Sequence, residues 1–182
     1  MAELAEFKLH AGDVAPEFWL PGVDGKTYGL KSFESQPVLV VTFWCNHCPY
    51  VQAWEGRLVD LARRYADRGV AFAAINSNDA VAYPTDAWDY MVRRAREHGY
   101  SFPYLRDETQ DVARAYGALV TPHPFVFDRE RKLVFQGRID DNYSEPDHVK
   151  HRYLEEALES TLAGKAVHPT ERPVQGCSVK WR

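Results

Sequence analysis

The sequence has few cysteines, no long apolar run and little net charge. Three cysteines in 182 residues are too few for a disulfide scaffold, so redox or metal chemistry better explains their presence. No apolar run approaches the roughly 20 residues that a membrane-spanning helix needs. A net charge of −4 gives no electrostatic reason to expect nucleic acid or an anionic membrane surface as a partner.

The N-terminus also lacks the features of a secretory leader. Glu3 and Glu6 stand where a signal peptide carries positive charge, and no apolar segment follows them. We therefore expect a cytoplasmic protein. A chain of this length with 45% hydrophobic residues suits a single domain over residues 1–182, of which 165–182 form an irregular C-terminal tail.

Hydrophobic patterning predicts an α/β fold with a mixed central sheet and helices on both faces. Val38 to Trp44 is apolar except for Thr42, which is typical of a strand covered on both faces. A helix of about twenty residues with one apolar stripe follows, and Val70 to Ile75 is a second buried strand. The remaining elements are a hairpin at Asp24-Gly25, helices starting at Thr85 or Asp86 (with Trp88 inward), at Asp107 and at Asp147, and a hairpin joining 125–127 to 133–135.

Two cysteines, Cys45 and Cys48, stand in a C-x-x-C motif between the first buried strand and its helix. Free N–H groups at a helix N-terminus favour a negative sulfur, and the thiolate is the reactive form of cysteine. We expect Cys45, at the strand end, to be the exposed attacking thiol that these groups stabilise. Cys48, one turn into the helix and less exposed, would resolve the mixed disulfide.

His47 lies between the two cysteines. A protonated imidazole there would stabilise the Cys45 thiolate and with it the reduced form of the pair. A more stable reduced form makes a more oxidising couple, so we predict a reduction potential above the −270 mV or so of thioredoxin. A solvated loop histidine without coupling to the thiols is the alternative.

Metal and haem chemistry fit the motif less well. Structural zinc usually takes a second Cys or His pair at defined spacing, and this chain offers only Cys177 and scattered histidines. Haem attachment needs a histidine directly after the second cysteine, where Pro49 stands. The expectation is a site without a cofactor or metal.

Thr121 and Pro122 form the second notable element, directly before the predicted strand 125–127. Proline cannot lie inside a central sheet ladder, so these residues predict a turn leading into that strand. Most X–Pro bonds in folded proteins are trans, and the residues alone favour an ordinary trans loop.

Together these motifs resemble the AhpC/TSA-like, or peroxiredoxin-like, redoxins of the thioredoxin-fold superfamily. The resemblance is carried by Trp44-Cys45-Asn-His-Cys48, by Thr121-Pro122 before Phe-Val-Phe, and by the tail segment Gly-Cys177-Ser-Val-Lys-Trp. It implies a thioredoxin-like fold with an N-terminal hairpin extension. It also implies a cis Pro122 that faces the cysteine pair and helps to dock substrate backbone.

Some positions depart from the patterns of these relatives. Leu39 stands six residues before Cys45, where thioredoxin carries a buried aspartate, so another group or water must accept the proton of the resolving thiol. Thr42 fits the second half of the peroxiredoxin motif, but Val38 stands at its proline position, which weakens the case for peroxide reduction. Asn76 and Asn78 end the strand beside the active-site strand, where they either border a pocket or serve as turn residues.

Cys177 is the unpaired cysteine. It is either a buried small hydrophobic residue or a further thiol that exchanges with the C-x-x-C pair. In the second case a Cys45–Cys177 crosslink is expected in a Cys48→Ser variant.

The sequence thus predicts a thiol–disulfide oxidoreductase with Cys45 as nucleophile and Cys48 as resolving thiol, shaped by Trp44, His47, Thr121 and Pro122. Its partners would be a protein or small-molecule disulfide and a reducing system. Two alternatives stay open. One is a thiol peroxidase in which Cys48 captures a sulfenic acid on Cys45. The other is a redox-responsive binding module whose partner reads the cysteine state.

Overall fold

The computed structural model of the protein describes residues 6–182. Its centre is a five-stranded sheet of order β5-β4-β3-β7-β8, with two-stranded ladders formed by β1 with β2 and by β6 with β9. The strands are β1 Trp19–Pro21, β2 Thr27–Gly29, β3 Val38–Phe43, β4 Val70–Asn76, β5 Tyr104–Arg106, β6 Val120–Thr121, β7 His123–Phe127, β8 Leu133–Gln136 and β9 Cys177–Ser178. The helices are α1 Pro49–Ala66, α2 Trp88–Glu97, α3 Asp111–Tyr116 and α4 Tyr153–Leu162.

The central strand β3 is buried on both faces, as its apolar sequence predicts. It runs parallel to β4 and antiparallel to β7, and all six of its residues are buried. Val38 and Val40 face the layer that holds α1 and α4, whereas Leu39, Val41 and Phe43 face the layer that holds α3. This alternation is the two-residue period of a strand. It fixes the direction in which the chain leaves β3 towards the cysteines.

Helix α1 is anchored by the predicted apolar stripe. The five stripe residues are all buried: Val51, Trp54, Leu58, Leu61 and Tyr65. The predicted hairpins also form, as β1–β2 and β7–β8. No helix among residues 6–182 is long and apolar enough to cross a membrane.

Three predicted helix starts are wrong. Helix α2 begins after Ala87, and Trp88, expected inward, is 37% exposed. Helix α3 begins at Asp111, because Asp107 stays in the preceding loop and its carboxylate accepts the N–H groups of Val112 and Ala113 from there. Asp147 lies in a separate 3-10 turn, Pro146–His148, and α4 begins only at Tyr153.

Candidate active site

Cys45 and Cys48 lie in the link between β3 and α1, and neither has solvent-exposed surface. β3 ends at Phe43, and the Trp44 N–H then donates to the Ile75 carbonyl of β4 at 2.8 Å. Cys48 precedes α1 as its N-cap residue with extended backbone. The expected exposure of Cys45 is therefore wrong, and so is the expected place of Cys48 inside the first helical turn.

Hydrogen-bond donors converge on the sulfur of Cys48. The thiols of Cys45 and Cys177 lie near it and lower its pKa, and so do the backbone N–H groups of Val51, in the first turn of α1, and of Cys177. Together they outweigh burial and lower the pKa of Cys48 to about 4. The helix N-terminus thus stabilises a thiolate on Cys48, rather than on Cys45 as the sequence led us to expect.

Cys45 is held in its protonated form. Its hydrogen bond to Cys48, its burial and the nearby charge of Asp86 raise its pKa well above that of an ordinary thiol. The Thr121 hydroxyl, whose oxygen lies 3.2 Å from the Cys45 sulfur, only partly opposes this rise. The opposite directions of the two pKa shifts favour a reduced pair that holds one proton, with the negative charge on the sulfur nearer the helix N-terminus.

The Thr121–Pro122 peptide bond is cis and lies against both cysteines, as the resemblance implies. The Cys48 thiol, when protonated, donates to the Thr121 carbonyl at 3.3 Å, and the Thr121 hydroxyl contacts Cys45. Pro122 separates β6 from β7 and keeps Thr121 at this position.

Asp86 is a functional candidate that sequence reasoning missed, because it was read only as a helix cap. Its carboxylate is fully buried and accepts the backbone N–H of Asn46 at 2.7 Å. The side-chain amides of Asn76 and Asn78 donate to it at 3.1 and 3.0 Å. Asp86 thus places a buried carboxylate near Cys45, from a segment of the chain distant from Leu39.

His47 faces Asp86 and is only partly exposed. Its Nδ1 lies 2.5 Å from Asp86 Oδ2, but the two atoms do not have the geometry of a regular hydrogen bond. The imidazole stacks on the Tyr83 ring with their planes 7° apart. A positive charge on His47 would therefore form an ion pair with Asp86. The thiols would experience the combined electrostatic effect of the two groups.

One atom each from Cys45, His47 and Asp86 lies within 4.8 Å of the other two. A thiol, an imidazole and a carboxylate are ligand types that a divalent metal accepts. The Asp86 oxygens, however, already accept three N–H bonds. The carboxylate is therefore already held by hydrogen bonds from the protein itself.

Two buried networks fix the link that carries the cysteines. Asn46 accepts the Tyr104 hydroxyl at 2.7 Å, and its amide donates to the Thr85 carbonyl at 2.9 Å. On the other side, the indole N–H of Trp44 donates to Tyr100 at 2.9 Å. Trp44 thus shapes the site from beneath, without exposed surface of its own.

Thr42, which matches part of the peroxiredoxin motif, makes no hydrogen bond to Cys45 in the described part of the chain. The Thr42 hydroxyl donates to the Phe43 carbonyl at 3.4 Å, within its own strand. Among the hydrogen bonds of residues 6–182, it is the Thr121 hydroxyl that reaches Cys45.

A family model described as the AhpC/TSA family matches residues 11–136. The chain is 24% identical over 130 residues to the thiol-disulfide oxidoreductase ResA of Bacillus cereus, an alignment that covers 71% of this chain and 70% of that protein. It is 30% identical over 109 residues to the peroxiredoxin Bcp of Escherichia coli, covering 60% of this chain and 65% of that one.

Solved structures of other proteins have a similar fold. An uncharacterized conserved protein from Geobacillus kaustophilus is 43% identical and superposes with a TM-score of 0.90, covering 98% of this chain and 96% of that one. The thioredoxin domain of a Bacteroides vulgatus thiol-disulfide oxidoreductase superposes with a TM-score of 0.60 at 20% identity, over 71% of this chain and 89% of that one. The fold is thioredoxin-like.

Proposed function

Because the chain belongs to the AhpC/TSA family, we propose that it is a thiol–disulfide oxidoreductase whose Cys45 and Cys48 alternate between dithiol and disulfide. The observation that carries the proposal is the contact between the two sulfurs, one held as a thiol and the other as a thiolate. Such a pair holds a nucleophile and a resolving thiol in reach of each other, which thiol–disulfide exchange requires.

The first step is the attack of the Cys48 thiolate on a sulfur of the substrate disulfide. A mixed disulfide forms, and the other substrate sulfur leaves as a thiolate that takes up a proton from solvent. The four donors on Cys48 keep its sulfur ionised near neutral pH, so no separate base is needed for this attack.

The second step is the attack of Cys45 on the Cys48 sulfur. Cys45 must first lose its proton, and His47 and Asp86, which have atoms within 4.8 Å of its sulfur, are the nearby groups to which one water could pass it. The new Cys45–Cys48 disulfide releases the second substrate sulfur as a thiolate. Two electrons pass from the cysteine pair to the substrate, which leaves as two thiols. This assignment reverses the roles that the sequence suggested for the two cysteines.

The substrate class follows from this chemistry and from the relatives. A protein or small-molecule disulfide accepts the electrons, and a cellular thiol system restores the dithiol. The cytoplasmic location expected from the sequence stays a prediction.

Turnover of a defined disulfide tests the proposal. Reduced protein should accelerate the reduction of insulin disulfides by dithiothreitol, and both Cys45→Ser and Cys48→Ser should lower the rate to the uncatalysed level. Asp89→Asn changes an exposed acid near the site and serves as the control, with activity close to that of the wild type. Wild-type protein that gives only the uncatalysed rate would refute the proposal.

Peroxide reduction is the second candidate function, favoured by the similarity to peroxiredoxin Bcp. Hydrogen peroxide consumption with dithiothreitol as reductant separates the two. Turnover that is fast with peroxide and absent with insulin, and that is lost in Cys45→Ser, would favour the peroxidase. Absence of both activities, together with partner binding that changes on oxidation, would favour a redox-responsive binding module.

A further inference from the structure

The C-terminal tail lies against the active site as a paired strand. β9 runs antiparallel to β6, which places Cys177 opposite Thr121. Beyond it, the Val179 N–H donates to the Leu119 carbonyl at 3.3 Å. An extended segment that adds to an open strand edge in this way binds as a peptide ligand would. The tail thus occupies the edge of the loop whose Thr121 contacts both active-site sulfurs.

This pairing brings Cys177 to Cys48. The Cys177 thiol and its backbone N–H both lie close enough to the Cys48 sulfur to lower the pKa of Cys48. Burial and the neighbouring Cys48 raise the pKa of Cys177 to about 11, so Cys177 keeps its proton while Cys48 is ionised. The three cysteines therefore form a row with Cys48 in the middle.

The segment after Cys177 is tied to the same network that holds Asp86. The Lys180 N–H donates to Asn78 Oδ1 at 2.9 Å, and Asn78 in turn donates to Asp86. The Lys180 carbonyl accepts the Asp79 N–H and the Gln110 side-chain amide, each at 2.8 Å. These bonds hold the tail where Cys177 meets Cys48.

Gly176 permits the close approach of the tail. A Cβ atom at this position would lie 2.2 Å from the carbonyl oxygen of Thr121. That oxygen belongs to the backbone beside Pro122, so the clash cannot be relieved by a side-chain rotation. A side chain at residue 176 would push the tail away from Thr121.

Accessibility distinguishes the three thiols. Cys45 and Cys48 have no exposed surface, whereas Cys177 is partly exposed. Building on the proposed function, we infer that Cys177 is a third redox thiol. It replaces Cys45 in the disulfide, so that the Cys45–Cys48 bond becomes a Cys48–Cys177 bond that reaches the protein surface.

The exchange balances without an external oxidant. Cys177 loses its proton and attacks the Cys48 sulfur, so that the Cys48–Cys177 bond forms as the Cys45–Cys48 bond breaks. Cys45 leaves as a thiolate and takes up a proton, because its burial and Asp86 favour its neutral form. The number of disulfides stays at one. An external thiol can then attack the sulfur of the partly exposed Cys177, which forms a mixed disulfide on Cys177 and releases Cys48 as a thiolate. A second external thiol attacks this mixed disulfide and releases Cys177, so the protein returns to its fully reduced state and the two external thiols leave as a disulfide.

Disulfide mapping of the full chain tests this inference independently of any turnover. Reduced Cys45→Ser protein is oxidised with glutathione disulfide, quenched in acid, alkylated and analysed by mass spectrometry. We expect Cys48–Cys177 to be the main intramolecular link. In Cys48→Ser, the matched variant, a Cys45–Cys177 link should be several-fold less abundant. Glutathione adducts without a Cys48–Cys177 link would overturn the inference.

A glycine substitution tests whether the paired tail delivers Cys177. In the Cys45→Ser background, Gly176→Ala should lower the yield of the Cys48–Cys177 link several-fold. Gly56→Ala is the control, because a Cβ there meets no atom within 4 Å. An equal yield in both variants would show that the pairing of β9 with β6 does not deliver Cys177.

The wild-type protein separates this inference from the proposed function. Oxidised by one equivalent of glutathione disulfide, it should contain a fraction with Cys45 alkylated and Cys48 linked to Cys177. Insulin turnover without this species, and unchanged in Cys177→Ser, would reject the role of Cys177 and leave the proposed function intact. If the Cys48–Cys177 species forms but insulin is not turned over, the proposed function is rejected and the exchange between the cysteines still stands.

Discussion

Asp86 connects the two sides of the active site through a single carboxylate. It accepts the N–H of Asn46 between the cysteines, faces His47, and is reached by the Asn78 amide that also binds the tail. Its charge favours the neutral form of Cys45. Asp86 thus adds to the two larger causes of the raised pKa of Cys45, which are its hydrogen bond to Cys48 and its burial.

Replacement of Asp86 by asparagine should lower the pKa of Cys45, because it removes the nearby negative charge. Thiolate absorbance at 240 nm, followed against pH in a Cys48→Ser/Cys177→Ser background, measures it on a single thiol. Asp89→Asn is the control, since Asp89 is exposed on α2. An unchanged titration of Cys45 in the Asp86→Asn protein would show that its charge does not act on the thiol.

His123 makes folding stability depend on pH. It is fully buried in β7, where its Nδ1 accepts the Leu119 N–H and its Nε2–H donates to Gln136. Burial lowers its pKa from 6.5 to about 3. Between these two values the unfolded chain binds a proton that the folded chain does not. The contribution of His123 is therefore fully present above pH 6.5 and is lost as the pH falls towards 3.

His123→Gln should flatten this dependence by at most about 1.4 kcal/mol per pH unit. Urea unfolding of both proteins at pH 7, 5 and 4 measures it, with the exposed His148→Gln as control. The comparison uses the slope with pH, so a loss of stability at pH 7 does not affect it. Parallel pH profiles for wild type and His123→Gln would contradict the expected effect.

At the scale of elements, β3, β4, β7, β8 and α1 could be predicted because their apolar residues follow a regular pattern. The predictions of a turn at Thr121 and of an irregular tail over 165–182 missed β6 and β9, because those short strands form only by pairing with each other. The starts of α2, α3 and α4 could not be predicted, because contacts outside each helix decide them. Asp107 serves α3 from the preceding loop, and Asp86 turns its carboxylate into the active site instead of capping α2. The active site could likewise be predicted only in part. The C-x-x-C motif and Thr121-Pro122 are visible in the sequence. The approach of Asp86 and Cys177, which are distant in the chain, is not.

Helix α3 should depend on Asp107 for its stability. The carboxylate accepts the Ala113 N–H at 2.9 Å and the Ser77 hydroxyl at 2.7 Å, both in buried surroundings. Asp107→Ala leaves these donors without a partner and should lower the free energy of unfolding by about 1–3 kcal/mol. Chemical denaturation measures the loss. Asp111→Ala, in the exposed first turn of the same helix, is the control and should cost well under half as much.

At the scale of the whole molecule, the tail completes the active site. Residues from α1, the segment around Asp86, the cis-proline loop and the tail all meet at Cys48 or its neighbours. Both C-x-x-C thiols lack exposed surface, and the tail pairs with the strand of Thr121, which contacts both of them. Exchange with large substrates therefore requires either displacement of β9 or transfer through Cys177.

The oxidising potential predicted from the sequence stays a prediction, but its physical basis changes. The stabilised thiolate is that of Cys48, and its hydrogen-bond donors take the role first given to His47. A stabilised thiolate still favours the reduced form, so the Cys45–Cys48 couple should lie above about −270 mV. Equilibration with glutathione buffers, in a Cys177→Ser background, measures it. A value at or below that level would contradict the prediction.

The central claim is that the reduced protein carries its thiolate on Cys48, from which exchange starts. The most direct measurement is the pH dependence of the ¹³Cβ chemical shifts of the three cysteines by NMR in the reduced wild-type protein. The account predicts that Cys48 titrates near pH 4, Cys177 near pH 11, and Cys45 well above 9. Titration of Cys45 at the lowest pH of the three, with Cys48 protonated at neutral pH, would contradict it.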